Sequence, residues 1–290
     1  MSDPVDALIE AEGLPDDYRE VVEQHWTPLA TRIAREAAGR TPLIVGINGA
    51  QGTGKTTLCK FLELLLKRRG LRAVSLSMDD IYLTRAERTQ LAGEVHPLFQ
   101  TRGVPGTHSP ALAMEVIESI LAGRDFTLPR FDKGSDDRLP DGEAVSGPVD
   151  VLLFEGWCLG AKPQDDAALA EPVNELEAQE DPDAAWRSVV NYWLSEDYAR
   201  LFEQLDLLVM LKVENFDAVR RNRALQEDKL RASQPDAPAL MDAEALGRFL
   251  AHYERLTNHV LEEMPARADI VFTIGPDQRP VASRPVSGME

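Results

Sequence analysis

Short apolar runs alternate along the chain with longer segments whose apolar residues recur every three or four positions. The runs predict buried strands at 43–48, 72–80, 149–157, 206–213 and 268–274. The amphipathic segments predict helices at 55–69, 109–123, 184–204, 215–231 and 242–263. Because nearly all-apolar strands that alternate with helices are typical of a parallel sheet covered on both faces, we expect a three-layer α/β fold.

The segment before the first strand carries a helical pattern of its own. Residues 17–38 place apolar side chains at helical spacing, and Pro28 predicts a new turn or a kink among them. We therefore divide the chain into an N-terminal helical segment packed on the core (1–41), a main domain (42–280) and a flexible C-terminal tail (281–290).

Composition and charge exclude several classes of protein. The chain has 290 residues, 43% of them hydrophobic, and a formal charge of −18. An acidic surface disfavours nucleic acid and anionic membranes, which need clustered Lys and Arg. Two cysteines, Cys59 and Cys158, indicate neither a disulfide framework nor a zinc site. Since the N-terminus lacks a signal-peptide pattern and no apolar run approaches the ~20 residues of a membrane span, we expect a cytoplasmic protein.

A glycine-rich turn follows the first predicted strand. Gly49, Gly54, Lys55 and Thr56 match the pattern G-x-x-x-x-G-K-[ST] between a strand and a helix. Such a P-loop holds nucleotide phosphates with its backbone N–H groups, its lysine and the helix N-terminus, and its Thr hydroxyl helps to hold Mg²⁺. The predicted nucleotide-binding residues are Gly49, Ala50, Gln51, Gly52, Thr53, Gly54, Lys55, Thr56 and Thr57.

Carboxylates end two further strands at the edge where the glycine turn is expected. Glu155 is a candidate Mg²⁺ ligand with Thr56, and Asp79 is a candidate to orient or deprotonate an attacking hydroxyl and to contact the metal. The alternatives are a solvated acid at 155 and a helix cap at 79. GTPase signatures (D-x-x-G after a strand, N-K-x-D) are missing, so a hydroxyl acceptor is favoured over water.

Together these residues resemble a group of P-loop kinases that contains uridine kinase, phosphoribulokinase and pantothenate kinase. Within that group the chain is most similar to the D-glycerate 3-kinases of plants, cyanobacteria and fungi, over about residues 42–275. The stretches that carry the resemblance are "GINGAQGTGKTTL", "SLSMDDIYLTRAER", "HPLFQTRGVPGTHS", "LPRFDKGSDDR" and "LLFEGWCLGAKP".

The resemblance implies a P-loop fold with a helical lid, and transfer of the ATP γ-phosphate to the 3-hydroxyl of D-glycerate with Mg²⁺. It implies that Asp79 is the base or orienting residue, with Lys55 also catalytic, and that Tyr82 lines the acceptor pocket. Arg220 and Arg223 fall where related kinases carry lid arginines; the alternative is a solvated basic face paired with Glu227 or Asp228. The acidic stretch 163–184 matches loosely, and its composition favours partial mobility.

Two loops concentrate basic residues that suit the carboxylate of an acid such as glycerate. These candidate acceptor contacts are Arg102, His108, Arg130, Lys133 and Arg138. The alternative is that they are ordinary solvated charges. The apolar stripe of helix 242–263, which includes Phe249 and Tyr253, is expected to be core, as are Trp186 and Trp193.

Two alternatives to a glycerate kinase stay open. One is a kinase of the same group with another acceptor, such as pantothenate or a nucleoside, although a nucleoside pocket needs fewer cations. The other is a regulatory P-loop NTPase without a small acceptor. A homodimer is possible in either case.

Overall fold

The computed structural model describes residues 3–233 and 241–285. Its strands, in chain order, are β1 (Leu43–Gly49), β2 (Ala73–Ser77), β3 (Phe126–Leu128), β4 (Phe131–Asp132), β5 (Asp137–Arg138), β6 (Glu143–Val145), β7 (Val151–Gly156), β8 (Leu207–Lys212), β9 (Ile270–Ile274) and β10 (Pro280–Pro285). Its α-helices are α1 (Pro4–Ala11), α2 (Tyr18–Val21), α3 (Thr27–Gly39), α4 (Lys55–Lys67), α5 (Arg85–Glu94), α6 (Pro110–Leu121), α7 (Glu175–Glu180), α8 (Ala185–Ser195), α9 (Asp197–Phe202), α10 (Phe216–Ser233) and α11 (Ala243–Glu263).

The main sheet has the strand order β10-β9-β8-β1-β7-β2 over the described residues. β1 lies between β7 and β8, and all pairs are parallel except β9 with β10. Every residue of β1 and β7 is buried, which explains their nearly continuous apolar sequences. The predicted three-layer α/β fold is confirmed. The predicted helix 184–204 is two helices, because the backbone leaves the helical region at Glu196.

The N-terminal helices pack on the sheet and on α4. Tyr18 stacks on Phe61 at 5.7 Å between ring centroids, and Trp26 meets Phe272 edge-on at 5.2 Å. A π-helical turn, Val22–Trp26, joins α2 to α3 without a break, and Pro28, which has no backbone N–H, lies just after this turn. This part of the chain shares one apolar core with the sheet.

The prediction of a flexible tail from residue 281 is wrong for residues 281–285. They continue β10, which pairs antiparallel with β9 at the edge of the sheet. Prolines at both ends and an exposed outer face give this strand no apolar run, so its sequence resembles a loop. Residues 286–290 lie outside the described part of the chain.

The acidic stretch 163–184 is folded against α8 and α11 rather than lacking regular structure. It contains a 3₁₀ turn, Asp166–Leu169, and α7, which Asn174 caps. Two of its acids are buried in ion pairs. Glu177 receives two hydrogen bonds from Arg255 of α11 (2.7 and 2.8 Å), and Asp181 pairs with Arg187 of α8 at 2.9 Å.

A second apolar cluster lies beneath this stretch. Trp186 is buried there with Phe99 and Leu176, and Trp193 packs against both this cluster and the main core. Both tryptophans are therefore core residues, as expected. None of the helices in the two described ranges is long and apolar enough to cross a membrane.

We expect the Arg255–Glu177 pair to contribute far more to stability than an exposed pair of the same geometry. Arg255→Met leaves a fully buried carboxylate without its partner and should lower the free energy of unfolding by about 3–5 kcal/mol. The matched control is Arg279→Met, which breaks the exposed two-bond pair with Asp17 and should cost under about 1 kcal/mol. Urea unfolding measures both changes, and equal losses would contradict the expectation.

Candidate active site

The turn between β1 and α4 forms the phosphate loop. Of the predicted residues, Gly49 ends β1, residues 50–54 form the turn, and residues 55–57 begin α4. Gly54 has a left-handed backbone (φ 85°), which favours glycine. Lys55 and Thr53 both donate hydrogen bonds to the Ala50 carbonyl, at 3.2 and 2.9 Å. The loop therefore closes on the N-terminus of α4, where N–H groups and the helix dipole favour an anion.

Gly52 brings the phosphate loop directly against α10, the predicted lid helix. Its backbone is left-handed (φ 75°), and a Cβ atom there would lie 2.7 Å from the Cβ of Asn222. Only glycine permits this approach. One turn further along α10, Gln226 lines the same cavity as Gly52.

Thr56 and Glu155 meet at the carboxyl ends of β1 and β7. The Thr56 hydroxyl donates a hydrogen bond to Glu155 at 2.9 Å. Burial raises the pKa of Glu155, against the lowering effect of Lys55, and the charge of Asp79 raises it further. No group of three or more His, Cys, Asp or Glu residues able to hold a metal occurs in the described chain. The oxygen donors fit Mg²⁺, which takes few protein ligands and completes its shell with phosphate oxygens and water.

Asp79 and Asp80 follow β2 but face different partners. Asp80 accepts a hydrogen bond from the Ser77 N–H (3.2 Å) and pairs with Arg130 at 2.8 Å. The Ser77 hydroxyl in turn accepts from the Asp79 N–H, which completes a capping box. The cap therefore uses the Asp80 carboxylate, and the Asp79 carboxylate lines the cavity instead.

Lys133 lies against Asp79, with its Nζ atom 2.5 Å from Oδ2. Burial raises the pKa of the Asp79 carboxyl, but the charges of Lys133 and Lys55 outweigh burial and lower it to about 2. Asp79 is therefore ionised at neutral pH and is a hydrogen-bond acceptor only.

A cavity of about 350 Å³ extends from the phosphate loop to Asp79. The predicted residues that line it are Gln51, Gly52, Lys55, Thr56, Asp79, Tyr82, Arg102, Lys133, Glu155 and Arg223. Its lining includes four cationic side chains and two acidic ones, in a chain whose formal charge is −18. This end of the sheet is therefore suited to anions.

Aromatic side chains that the sequence analysis assigned to the core form one wall of this cavity. Phe249 and Tyr253 of α11 line it together with Trp157. They also pack in the main core as predicted, so their role at the cavity is an addition to that prediction. The Tyr253 hydroxyl donates to the Arg102 carbonyl at 3.0 Å, and the Trp157 indole N–H donates to the Gly103 carbonyl at 2.9 Å. Their helical spacing is the same as that of core residues, so only the tertiary fold distinguishes them.

His108 does not reach the cavity. It is 3% exposed and stacks on Tyr82 with ring centroids 4.4 Å apart. The Tyr198 hydroxyl accepts a hydrogen bond from the Gly106 N–H (2.8 Å) and forms a second hydrogen bond with His108 Nδ1 (2.8 Å). Burial lowers the pKa of His108 to about 3, so the ring is neutral. His108 supports Tyr82 from behind instead of contacting a substrate.

Arg130 and Arg138 are also outside the cavity. Besides its pair with Asp80, Arg130 contacts Glu143 of β6 at 2.8 Å. Arg138 lies 3.7 Å from Glu87 and donates to the Tyr82 carbonyl at 3.5 Å. Both arginines fix the loops around the cavity, so the structure does not bring them to the acceptor position.

The two predicted lid arginines of α10 have different surroundings. Arg223 lines the cavity and pairs with the buried Glu227 at 2.8 Å. Arg220 pairs with Glu254 of α11 at 3.1 Å and lies over the ring of Phe216, outside the cavity. Residues three apart on a helix are only about 60° apart around its axis, so the two arginines differ in their partners more than in their face of α10: Glu254 and Phe216 hold Arg220 away from the phosphate loop.

Comparison with known proteins identifies relatives of this chain. No family model matches it. It is 34% identical to the uncharacterized kinase mug58 of Schizosaccharomyces pombe, over 73% of this chain and 78% of that one. It is 31% identical to the chloroplastic D-glycerate 3-kinase of Arabidopsis thaliana, over 73% of this chain but only 46% of the plant protein. Among solved structures, D-glycerate 3-kinase from Cryptococcus neoformans is 26% identical, with a TM-score of 0.74 over 91% of this chain and 98% of that one.

The structural similarity covers 91% of this chain, and the catalytic class follows from the kinases that it resembles. The chain therefore belongs to the P-loop kinases related to D-glycerate 3-kinase, and it is a phosphotransferase with an alcohol group as acceptor.

Proposed function

We propose that this protein transfers the γ-phosphate of ATP to the 3-hydroxyl of D-glycerate and gives 3-phosphoglycerate. The observation that carries the proposal is the charge of the cavity. One end is the phosphate loop, and the other holds the ionised Asp79 beside Arg102 and Lys133. An acceptor with a hydroxyl and a carboxylate matches that second end.

The nucleotide end would hold ATP and Mg²⁺. We propose that Lys55 and the N-terminus of α4 hold the outer phosphates, with Thr56 and Glu155 as the protein ligands of the metal, directly or through water. Bound Mg²⁺ would neutralise phosphate charge. Arg223 lines the cavity from the opposite side, where it would offset the charge that develops during transfer.

At the acceptor end we propose that Asp79 accepts a hydrogen bond from the reacting hydroxyl and holds it in line with the γ-phosphate. Tyr82, fixed by its stack on His108, lines the same space. Arg102 and Lys133 would bind the carboxylate. With a pKa near 2, Asp79 would act mainly by orientation, which suits a loose transfer in which the proton leaves late.

A second candidate is a kinase of the same build for another acid, such as pantothenate, since the cations do not distinguish between carboxylates. A nucleoside is disfavoured because it brings no charge to this end. A regulatory NTPase without a small acceptor is disfavoured by the space beside Asp79. A cytoplasmic location and a homodimer remain predictions.

The direct test is ADP release from Mg-ATP by the purified protein with D-glycerate, L-glycerate, pantothenate, uridine or no acceptor. We expect acceptor-dependent release with D-glycerate, because it presents a hydroxyl and a carboxylate at a short separation. Release at the same rate without any acceptor would contradict the proposal, and release with pantothenate alone would transfer it to the second candidate.

Asp79→Asn should lower kcat by about 10²–10⁴-fold while the Kd for ATP stays close to that of the wild type, because the carboxylate acts on the acceptor hydroxyl. Steady-state kinetics and nucleotide titration measure the two quantities. Asp80→Asn is the matched control, since that carboxylate only caps the turn and pairs with Arg130. It should reduce stability and leave kcat near the wild-type value. Unchanged turnover in Asp79→Asn would exclude the proposed role.

Arg223→Met and Arg220→Met separate the two predicted lid arginines. Arg223 lines the cavity, so its loss should reduce kcat/KM for ATP by about 100-fold or more. Arg220 is paired on the outer side with Glu254, so its loss should change kcat/KM little. Equal effects of the two substitutions would show that the arrangement of α10 described above is not the one that acts in turnover.

A further inference from the structure

Lys133 contacts the carboxylate that is proposed to hold the acceptor hydroxyl. Its Nζ atom lies 2.5 Å from Asp79 Oδ2, while its side chain is 62% exposed and that of Asp79 is 34% exposed. Lys133 therefore extends from solvent to Asp79 in the cavity. It occupies one of the two carboxylate oxygens of Asp79 that are available to an acceptor hydroxyl.

The turn that carries Lys133 has a fixed backbone. Asp132 accepts hydrogen bonds from the Gly134 N–H (2.9 Å), the Ser135 N–H (3.1 Å) and the Ser135 hydroxyl (2.7 Å). At the other end of the turn, Asp136 pairs with the buried Arg88 at 2.5 Å. The flexible four-carbon side chain of Lys133 is therefore the part of this turn that is free to move.

Arg102, the other cation at this end, is held in place. It pairs with Asp136, which Arg88 also contacts, and it lies 5.6 Å over the ring of Phe131. Moving Arg102 would break both contacts, whereas moving Lys133 breaks one ion pair at the edge of solvent. One cation is thus fixed and the other is able to change partners.

We propose that Lys133 exchanges partners when the acceptor binds: its ammonium group leaves Asp79 and pairs with the acceptor carboxylate. The acceptor hydroxyl therefore reaches Asp79 when the same molecule also carries a carboxylate. This inference rests on the proposed transfer to a small acid. For an acid, one ammonium–carboxylate pair replaces another. An uncharged polyol has to separate the Lys133–Asp79 pair without providing a replacement, which should make its kcat/KM about 10- to 150-fold lower than that of the acid.

The test compares acids with their uncharged counterparts, D-glycerate with glycerol and pantothenate with panthenol, by kcat/KM at saturating Mg-ATP. In Lys133→Met we expect the preference for the acid to fall by about 10- to 100-fold, through a loss with the acid and no loss with the uncharged counterpart. Lys133→Arg keeps the charge and should retain part of the preference. Lys67→Met removes an exposed lysine of α4 outside the cavity and should behave as the wild type.

The outcomes separate this inference from the proposed function. Equal losses with acid and uncharged acceptor would assign Lys133 to the nucleotide phosphates and overturn the exchange, as would an unchanged preference. Turnover of pantothenate but not D-glycerate would refute the glycerate assignment, and loss of the pantothenate preference in Lys133→Met would still support the exchange. A wild-type enzyme that uses uncharged acceptors as well as acids, or that uses no acid, would overturn it.

Discussion

The parallel pairing of three neighbouring strands determines where all the chemistry of this protein lies. In the register of β1, β7 and β2, Ile47 is opposite Glu155, and Glu155 is opposite Ser77. The phosphate loop follows β1 and Asp79 follows β2, so both lie at the same edge of the sheet as Glu155, near the end of β7. A shift of one residue in β7 would turn Glu155 to the opposite face of the sheet, away from Thr56. The apolar side chains of these strands thus hold the register on which the polar site depends.

Much of the sheet and the phosphate loop could be predicted because their signals are local. A parallel strand buried on both faces is an apolar run, and the loop needs its glycines at fixed spacing. β10 escaped prediction because it is an edge strand whose partners lie on one side only. The structured acidic stretch escaped because Glu177 is stabilised by Arg255, which lies 78 positions further along the chain. Composition reports the charge of such a residue but not its partner.

The acceptor end illustrates the same limit within the site. Five basic residues in two loops were candidates from their type alone, yet only Arg102 and Lys133 line the cavity. The other three contact partners outside the cavity: His108 contacts Tyr198, Arg130 contacts Asp80 and Glu143, and Arg138 contacts Glu87. Phe249 and Tyr253 were missed for the opposite reason, since an aromatic residue on the inner face of a helix has the same periodicity whether it meets core or cavity. Side-chain type selects possible roles, and tertiary neighbours decide among them.

The close approach of Gly52 to Asn222 also has a mechanical meaning. No methyl group fits between the phosphate loop and α10 at this point. Any other residue at position 52 would push the helix that carries Arg223 away from the loop backbone. The position of that arginine relative to the loop therefore depends on the absence of a single side chain.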